Sequence, residues 1–421
     1  MKSLLTPLAC ALLALPLMAQ APDTDKRVAE LERRLDAMSQ ELESQKTGTA
    51  MPVAGETGQY GLGPAASKPY GSKGGLSIGG YGEMLYENFS SKLQNGTYSS
   101  KPNTVDFVRQ ILYVGYKFDE RIVFNTEIEF EHAKTATGGT GEVSVEFAYL
   151  DFLLSPAFNI RAGMVLVPLG FVNELHEPPT FLGARRPGVE RGIIPTTWRE
   201  NGLGIHGELP GHFTYRAYVI NGLDSSKFGD SGIRSGRQNG SNALAESLAL
   251  TGRLDWSPIP GTTLGLGAYT GNSNQSDAGE AIRTTLVEGH AEYKARGFQL
   301  RGLYTRMTNS ENGLIGLAAA NAVKKLGTQQ WGGYLEAGYD VLGLTGSKQA
   351  LIPYLRFERM NTQQEVVAGV AANLANDQTL LTMGVAYKPI PQVAFKLDLT
   401  KVENRARTGR DQVSLSMGYY F

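Results

Sequence analysis

Cysteine is almost missing from this chain. Its single thiol, Cys10, lies in an apolar stretch near the N-terminus, so disulfide staples and thiol chemistry are excluded from the rest of the protein. Long apolar runs are also absent beyond that stretch, which leaves no segment able to span a bilayer as a helix. Histidine is scarce: His132, His176, His206, His212 and His290 are scattered without metal-ligand spacing, and none belongs to a nucleophile motif. No metal site and no cofactor is expected. Neither sign of charge dominates, with 40 Lys+Arg against 41 Asp+Glu, so no nucleic-acid partner is implied.

What is plentiful is glycine (51) and tyrosine (19), a composition that suits a turn-rich, aromatic-banded β protein. The last residues, Asp411 to Phe421, alternate strictly: Val413, Leu415, Met417, Tyr419 and Phe421 against Gln412, Ser414, Ser416, Gly418 and Tyr420. One apolar and one polar face suit a wall with lipid outside and water inside. The segment reads as the closing strand of a transmembrane β-barrel. Tyr419 and Phe421 are then the assembly signal offered to the barrel-assembly machinery.

The N-terminus begins with Met1 and Lys2, runs through apolar residues from Leu4 to Met18, and ends on Ala19 and Ala21. This is the pattern of a secretory signal peptide over residues 1–21. In residues 22–46, Val28, Leu31, Leu35, Met38 and Leu42 recur at heptad spacing among charged residues. They predict a short periplasmic coiled-coil helix that associates with copies of itself, or else a frayed amphipathic helix. Residues 47–73 are rich in Gly, Pro, Ala and Ser and lose periodicity, as a flexible linker does.

From residue 74 to 421 the pattern predicts sixteen amphipathic strands. Every second connection is tight, as at Asp119-Glu120, Pro210-Gly211 and Pro389-Ile390-Pro391, and the others are mostly long and polar. That alternation is what an even-stranded, antiparallel, all-β outer-membrane barrel with both termini in the periplasm requires, and sixteen strands are expected to enclose a water-filled lumen. In the third strand Ile122, Phe124, Ile128 and Phe130 share one face, while Arg121, Asn125, Glu127, Glu129 and Glu131 share the other. The charged face is assigned to the lumen because charges face lipid only at high cost. Lys396 falls on the lumen side of the penultimate strand by the same rule. The expected surroundings are the lipid and outer membrane of a Gram-negative bacterium.

Ile160-Arg161-Ala162-Gly163-Met164, Pro168-Leu169-Gly170, Val189-Glu190-Arg191 and Asn201-Gly202-Leu203-Gly204-Ile205-His206-Gly207 resemble the central region of the phosphate-selective porin O/P family. The resemblance implies a trimeric anion channel with an arginine-lined lumen, in which Arg161 projects from a barrel strand and Glu190-Arg191 sit in a constriction loop. The loop from Pro168 to Thr197 carries Glu174, Glu177, Arg185, Arg186, Glu190 and Arg191. By this resemblance it folds inward, where its charges sort permeating ions by sign; a solvated outer loop is the alternative. Gly202-x-Gly204-x-x-Gly207 matches a dinucleotide fingerprint by letter, but lies in a strand without a following helix. The expectation is a non-enzymatic porin for passive diffusion and ion transport, a homotrimer passing small hydrophilic solutes or anions. A specific oxyanion channel, an outer-membrane enzyme and an envelope-tethering protein are the alternatives.

Overall fold

A computed structural model describes residues 33–34, 58–275, 280–320 and 325–421. The signal peptide, the heptad residues and the first part of the linker, residues 47–57, lie outside the described residues.

The chain forms sixteen strands. The first eight are β1 (Gly75–Phe89), β2 (Thr104–Lys117), β3 (Ile122–Glu131), β4 (Val143–Ser155), β5 (Phe158–Leu166), β6 (Arg199–Leu209), β7 (Phe213–Asn221) and β8 (Leu248–Trp256). The second eight are β9 (Thr262–Asn272), β10 (Arg283–Ala295), β11 (Phe298–Asn309), β12 (Gly327–Tyr339), β13 (Ala350–Val366), β14 (Asp377–Ile390), β15 (Val393–Asn404) and β16 (Gln412–Tyr420). Each pairs antiparallel with its sequence neighbours, and β16 returns to β1 to close the barrel. The closing seam aligns Tyr81 with Tyr420 and Leu85 with Ser416. Just beyond β16, Phe421 and Gly80 exchange both backbone hydrogen bonds, at 2.9 and 3.0 Å. Glycine is needed here because Gly80 and Gly82 lie beneath aromatic rings. A Cβ at Gly82 would come within 2.5 Å of the Tyr419 hydroxyl, and one at Gly80 within 2.9 Å of the Phe421 ring.

Alternation turns the usual burial rule inside out. Leu266 and Leu335 on the outer wall are 68% and 70% exposed, whereas Glu127, Glu146 and Asp151 on the inner wall are fully buried. An exterior of this kind is stable only against hydrocarbon. Closure satisfies the backbone donors and acceptors that hydrocarbon could not. Among the described residues no helix is long and apolar enough to cross a membrane.

The lumen departs from a simple water-filled bore. The β5–β6 connection, 167–198, lies inside the barrel, and its Leu169, Phe171, Val172, Val189, Ile193, Ile194 and Trp198 join Tyr81, Tyr113, Phe147 and Tyr334 of the wall in one apolar core. The physical reason is composition: these side chains remove apolar surface from water by packing on the aromatic inner wall. The second half of the expected linker is ordered as well. Residues 58–72, including the short helix α1 (Lys68–Gly71), pack inside the barrel with Leu62, Ala65, Ala66 and Tyr70 buried. The Asn125 amide donates to the Ala66 carbonyl at 2.7 Å. The Tyr70 hydroxyl donates to Asp151 at 2.6 Å. Arg121 stands in the β2–β3 turn and is exposed, not lumenal, because the side chain of Asp119 takes the backbone N–H groups of residues 121 and 122 and shapes that turn.

Candidate constriction and arginine cluster

The inward course of 167–198 is fixed from both ends. The Asn173 amide donates to the carbonyls of Val167 and Trp198 at 2.6 and 2.9 Å, and its oxygen accepts the Trp198 N–H at 2.6 Å. One side chain thus ties the entry of the loop to its exit. Gly170 makes the turn with φ +68°, where a Cβ would meet the Glu190 carboxylate at 2.5 Å; such a backbone favours glycine. Glu190 lies on the short helix α2 (Gly188–Gly192). It accepts the Val172 N–H at 2.7 Å and the Tyr334 hydroxyl at 2.6 Å. Burial raises its pKa, while those two donors pull the other way.

The wall holds the loop with charged groups. Lys396 donates to the carbonyls of Pro178 and Gly183 at 2.7 and 2.9 Å and lies 3.9 Å from the centre of the Phe181 ring. Asp398 accepts the Ala184 N–H at 2.7 Å. Glu177 accepts the N–H groups of Ala65 and Ala66 at 3.0 and 3.1 Å. It joins the loop to the N-terminal plug, and burial pushes its pKa up to about 7 against those donors. Glu174 faces Arg216 and Arg253 at 3.4 and 3.8 Å. Arg161 is spent on Asp151 at 2.7 Å and lies 4.2 Å from the Tyr149 ring centre. Arg109 stands among Glu83, Glu129 and Glu131 at 3.4, 3.2 and 3.9 Å. Many charges expected to face permeating solutes are therefore held by ion pairs or backbone groups that shape the lumen.

Two of the three loop arginines behave differently. Arg185 pairs with Glu87 through two contacts of 2.5 Å. Arg186 and Arg191 pair with no carboxylate among the described residues, and Arg186 Nη2 and Arg191 Nε have no hydrogen-bond acceptor. They are joined by two arginines from the β7–β8 loop. Arg234 donates to the Thr196 carbonyl, and Arg237 to those of Pro195 and Thr197 at 3.0 and 2.7 Å. Neither of these meets a carboxylate among the described residues. The crowding registers in their acidity. Burial and then neighbouring Arg185 lower Arg191 to about 10; burial with Arg237 and Arg186 lowers Arg234 to about 9. Burial and Arg199 lower Arg237 to about 10. All stay charged at neutral pH. The four guanidinium groups stand close together without a directly paired carboxylate among the described residues, though Glu131, Glu146, Glu200 and Glu358 lie within electrostatic reach of three of them. On the other side of the loop, a cavity of about 540 Å³ is lined by Tyr60, Phe171, Glu174, Arg216, Arg253 and Asp255.

A closed sixteen-stranded antiparallel barrel with an apolar exterior, narrowed by the loop after its fifth strand, has the fold of the outer-membrane porins. It superimposes on OmpF of Salmonella typhi in complex with daunomycin with a TM-score of 0.56 at 15% identity, over 83% of this chain and 98% of that one. For the outer membrane channel DcaP of Acinetobacter baumannii the TM-score is 0.54 at 11% identity, over 82% and 97%. For the anion-selective porin from Comamonas acidovorans it is 0.52 at 12% identity, over 82% and 99%. No model of a protein family matches the chain. By sequence, the chain belongs to one family with an uncharacterized protein of Aquifex aeolicus (strain VF5). The two are 37% identical over 371 residues, which span 86% of this chain and 83% of the relative.

Proposed function

We propose that this protein is a non-enzymatic outer-membrane channel for passive diffusion of small hydrophilic solutes, with a preference for anions. The observation that carries the reading is the set of unpaired guanidinium groups of Arg186, Arg191, Arg234 and Arg237 beside the inward loop. Guanidinium charge is permanent over the working pH, and salt screens it less in a confined lumen than on an open surface. A narrower reading has its own support. The unsatisfied N–H donors of Arg186 and Arg191 suit an oxyanion such as phosphate, which accepts several charge-assisted hydrogen bonds at once. We read residues 1–21 as an export signal and 22–46 as a self-associating helix of a homotrimer.

The test is the reversal potential of the reconstituted channel across asymmetric potassium chloride, for the native chain and for Arg186→Gln with Arg191→Gln. Anion preference in the first and a shift toward cations at similar conductance in the second are expected. Cation preference in the native chain, or no shift in the variant, refutes the assignment. Block of chloride current by added inorganic phosphate supports the narrower reading; unaltered current refutes it.

A further inference from the structure

Glu127 of β3, Glu146 of β4 and His176 meet where the inward loop packs against the barrel wall, and all three are buried. One potential ligand atom from each lies within 4.8 Å of the others. His176 Nε2 is 3.1 Å from Glu127 Oε1 and 3.9 Å from Glu146 Oε2. Tetrahedral zinc with bonds of about 2.0–2.1 Å holds its donors about 3.3 Å apart, so Glu127 stands near that spacing from His176 and Glu146 must close by about 0.6 Å.

The orientation of the ring is that of a ligand. His176 Nδ1 lies 2.9 Å from the Asn173 carbonyl, an acceptor only. Nδ1 therefore carries a proton, and in the neutral ring the Nε2 lone pair is aimed at the two carboxylates. A metal-bound histidine commonly donates its second nitrogen to a backbone carbonyl in this way. Glu146 is oriented too: its Oε1 accepts from Arg199 Nη1 and from the Thr197 hydroxyl, both at 2.8 Å. Its Oε2 is buried and takes no N–H or hydroxyl donor among the described residues, with the Glu129 carboxyl beside it. A carboxylate oxygen left without a cation or a proton costs stability in so dry a place, and this one faces the His176 Nε2 at 3.9 Å, where a cation would satisfy it.

We propose that Glu127, Glu146 and His176 hold a divalent transition-metal ion, with zinc the best match, that staples the constriction loop to the barrel wall. Two carboxylates and a neutral imidazole are a donor set that suits a divalent ion, with Arg199 sharing the charge of Glu146 through its other oxygen, and the three-ligand set leaves a fourth position for a solvent oxygen. The ligands come from positions 127, 146 and 176, so the site has no spacing motif in the sequence. Without metal, a doubly protonated His176 between the two carboxylates, or a proton shared by Glu146 and neighbouring Glu129, would account for the same geometry.

The test uses the full-length protein extracted in detergent, stripped with a chelator and then titrated with cobalt(II) and zinc. One ion per chain, with the intense visible absorption of tetrahedral cobalt that zinc displaces, is expected. Isosteric Glu146→Gln and Glu127→Gln, in barrels that keep native heat-modifiable migration, should weaken binding by about tenfold or more. His176→Gln should do the same; if it fails to assemble, the two glutamine variants decide. Failure of the native barrel to take up either metal, or unchanged affinity in both Glu→Gln variants, overturns the proposal in favour of a proton-bridged cluster.

Discussion

Removing the acceptor at Glu190 should loosen the constriction without opening the barrel. Glu190→Ala leaves the Val172 N–H and the Tyr334 hydroxyl, now at 2.7 and 2.6 Å from its carboxylate, buried without partners. Hydrogen bonds to a charged acceptor contribute about 1.5–3 kcal/mol each. Part of the loss is returned because a buried carboxylate no longer has to be desolvated, which leaves a net change of about 3 kcal/mol. That raises the ratio of released to docked loop about 150-fold, at 1.4 kcal/mol per factor of ten. Hydrogen exchange at the Val172 amide reads the change directly, and single-channel recordings should show larger and noisier conductance. Glu190→Gln keeps one acceptor and should produce a smaller loss of protection. The distant anchors at Lys396 and Glu177 are untouched, so the barrel should migrate as native protein. An unchanged exchange rate at Val172 together with an unchanged current trace would refute the view that this carboxylate holds the loop.

Deleting Phe421 removes both of its backbone bonds to Gly80 and the ring over that glycine; heat-modifiable, membrane-embedded barrel should fall sharply, and normal levels on a gel would count against the seam described here. Replacing Leu31 and Leu35 by Asp should abolish trimer cross-linking through the N-terminal heptads while the barrel still assembles; loss of the barrel itself would mean that this segment serves folding.

The strands were legible because a wall between lipid and lumen imposes period two on every segment. The number of strands, sixteen, is the expected one. Two local features depart from simple alternation. β13 runs on to Val366 although its last residues, Asn361 to Glu365, are all polar and give no alternation. The helix at Glu311–Ala320 lies in an outer connection whose small apolar residues look like neither strand nor polar loop. The packed lumen had a visible sign that polar-loop reasoning passed over: Phe171, Val172, Ile193, Ile194 and Trp198 are too apolar for a solvated connection. Arg186 and Arg191 could be singled out from the loop alone. Arg234 and Arg237 could not, because two strands separate them in sequence from the residues they meet in space. Neither could the pairing of Arg185 with Glu87 or of His176 with Glu127, since register and loop path decide both.

Closure between residues 80 and 421 also governs how the protein comes into being. The edge of β1 is synthesised more than three hundred residues before its mate, β16 and Phe421, so its exposed donors and acceptors must be shielded for the whole interval. A contact this distant in sequence is slow to form, because the entropy of closing the intervening chain is lost before any bond repays it. Fifteen strands are no better than five in this respect, since either number leaves two raw edges that hydrocarbon will not accept. Maturation is therefore all-or-none: a ribosome that stalls one strand early yields nothing the membrane can keep.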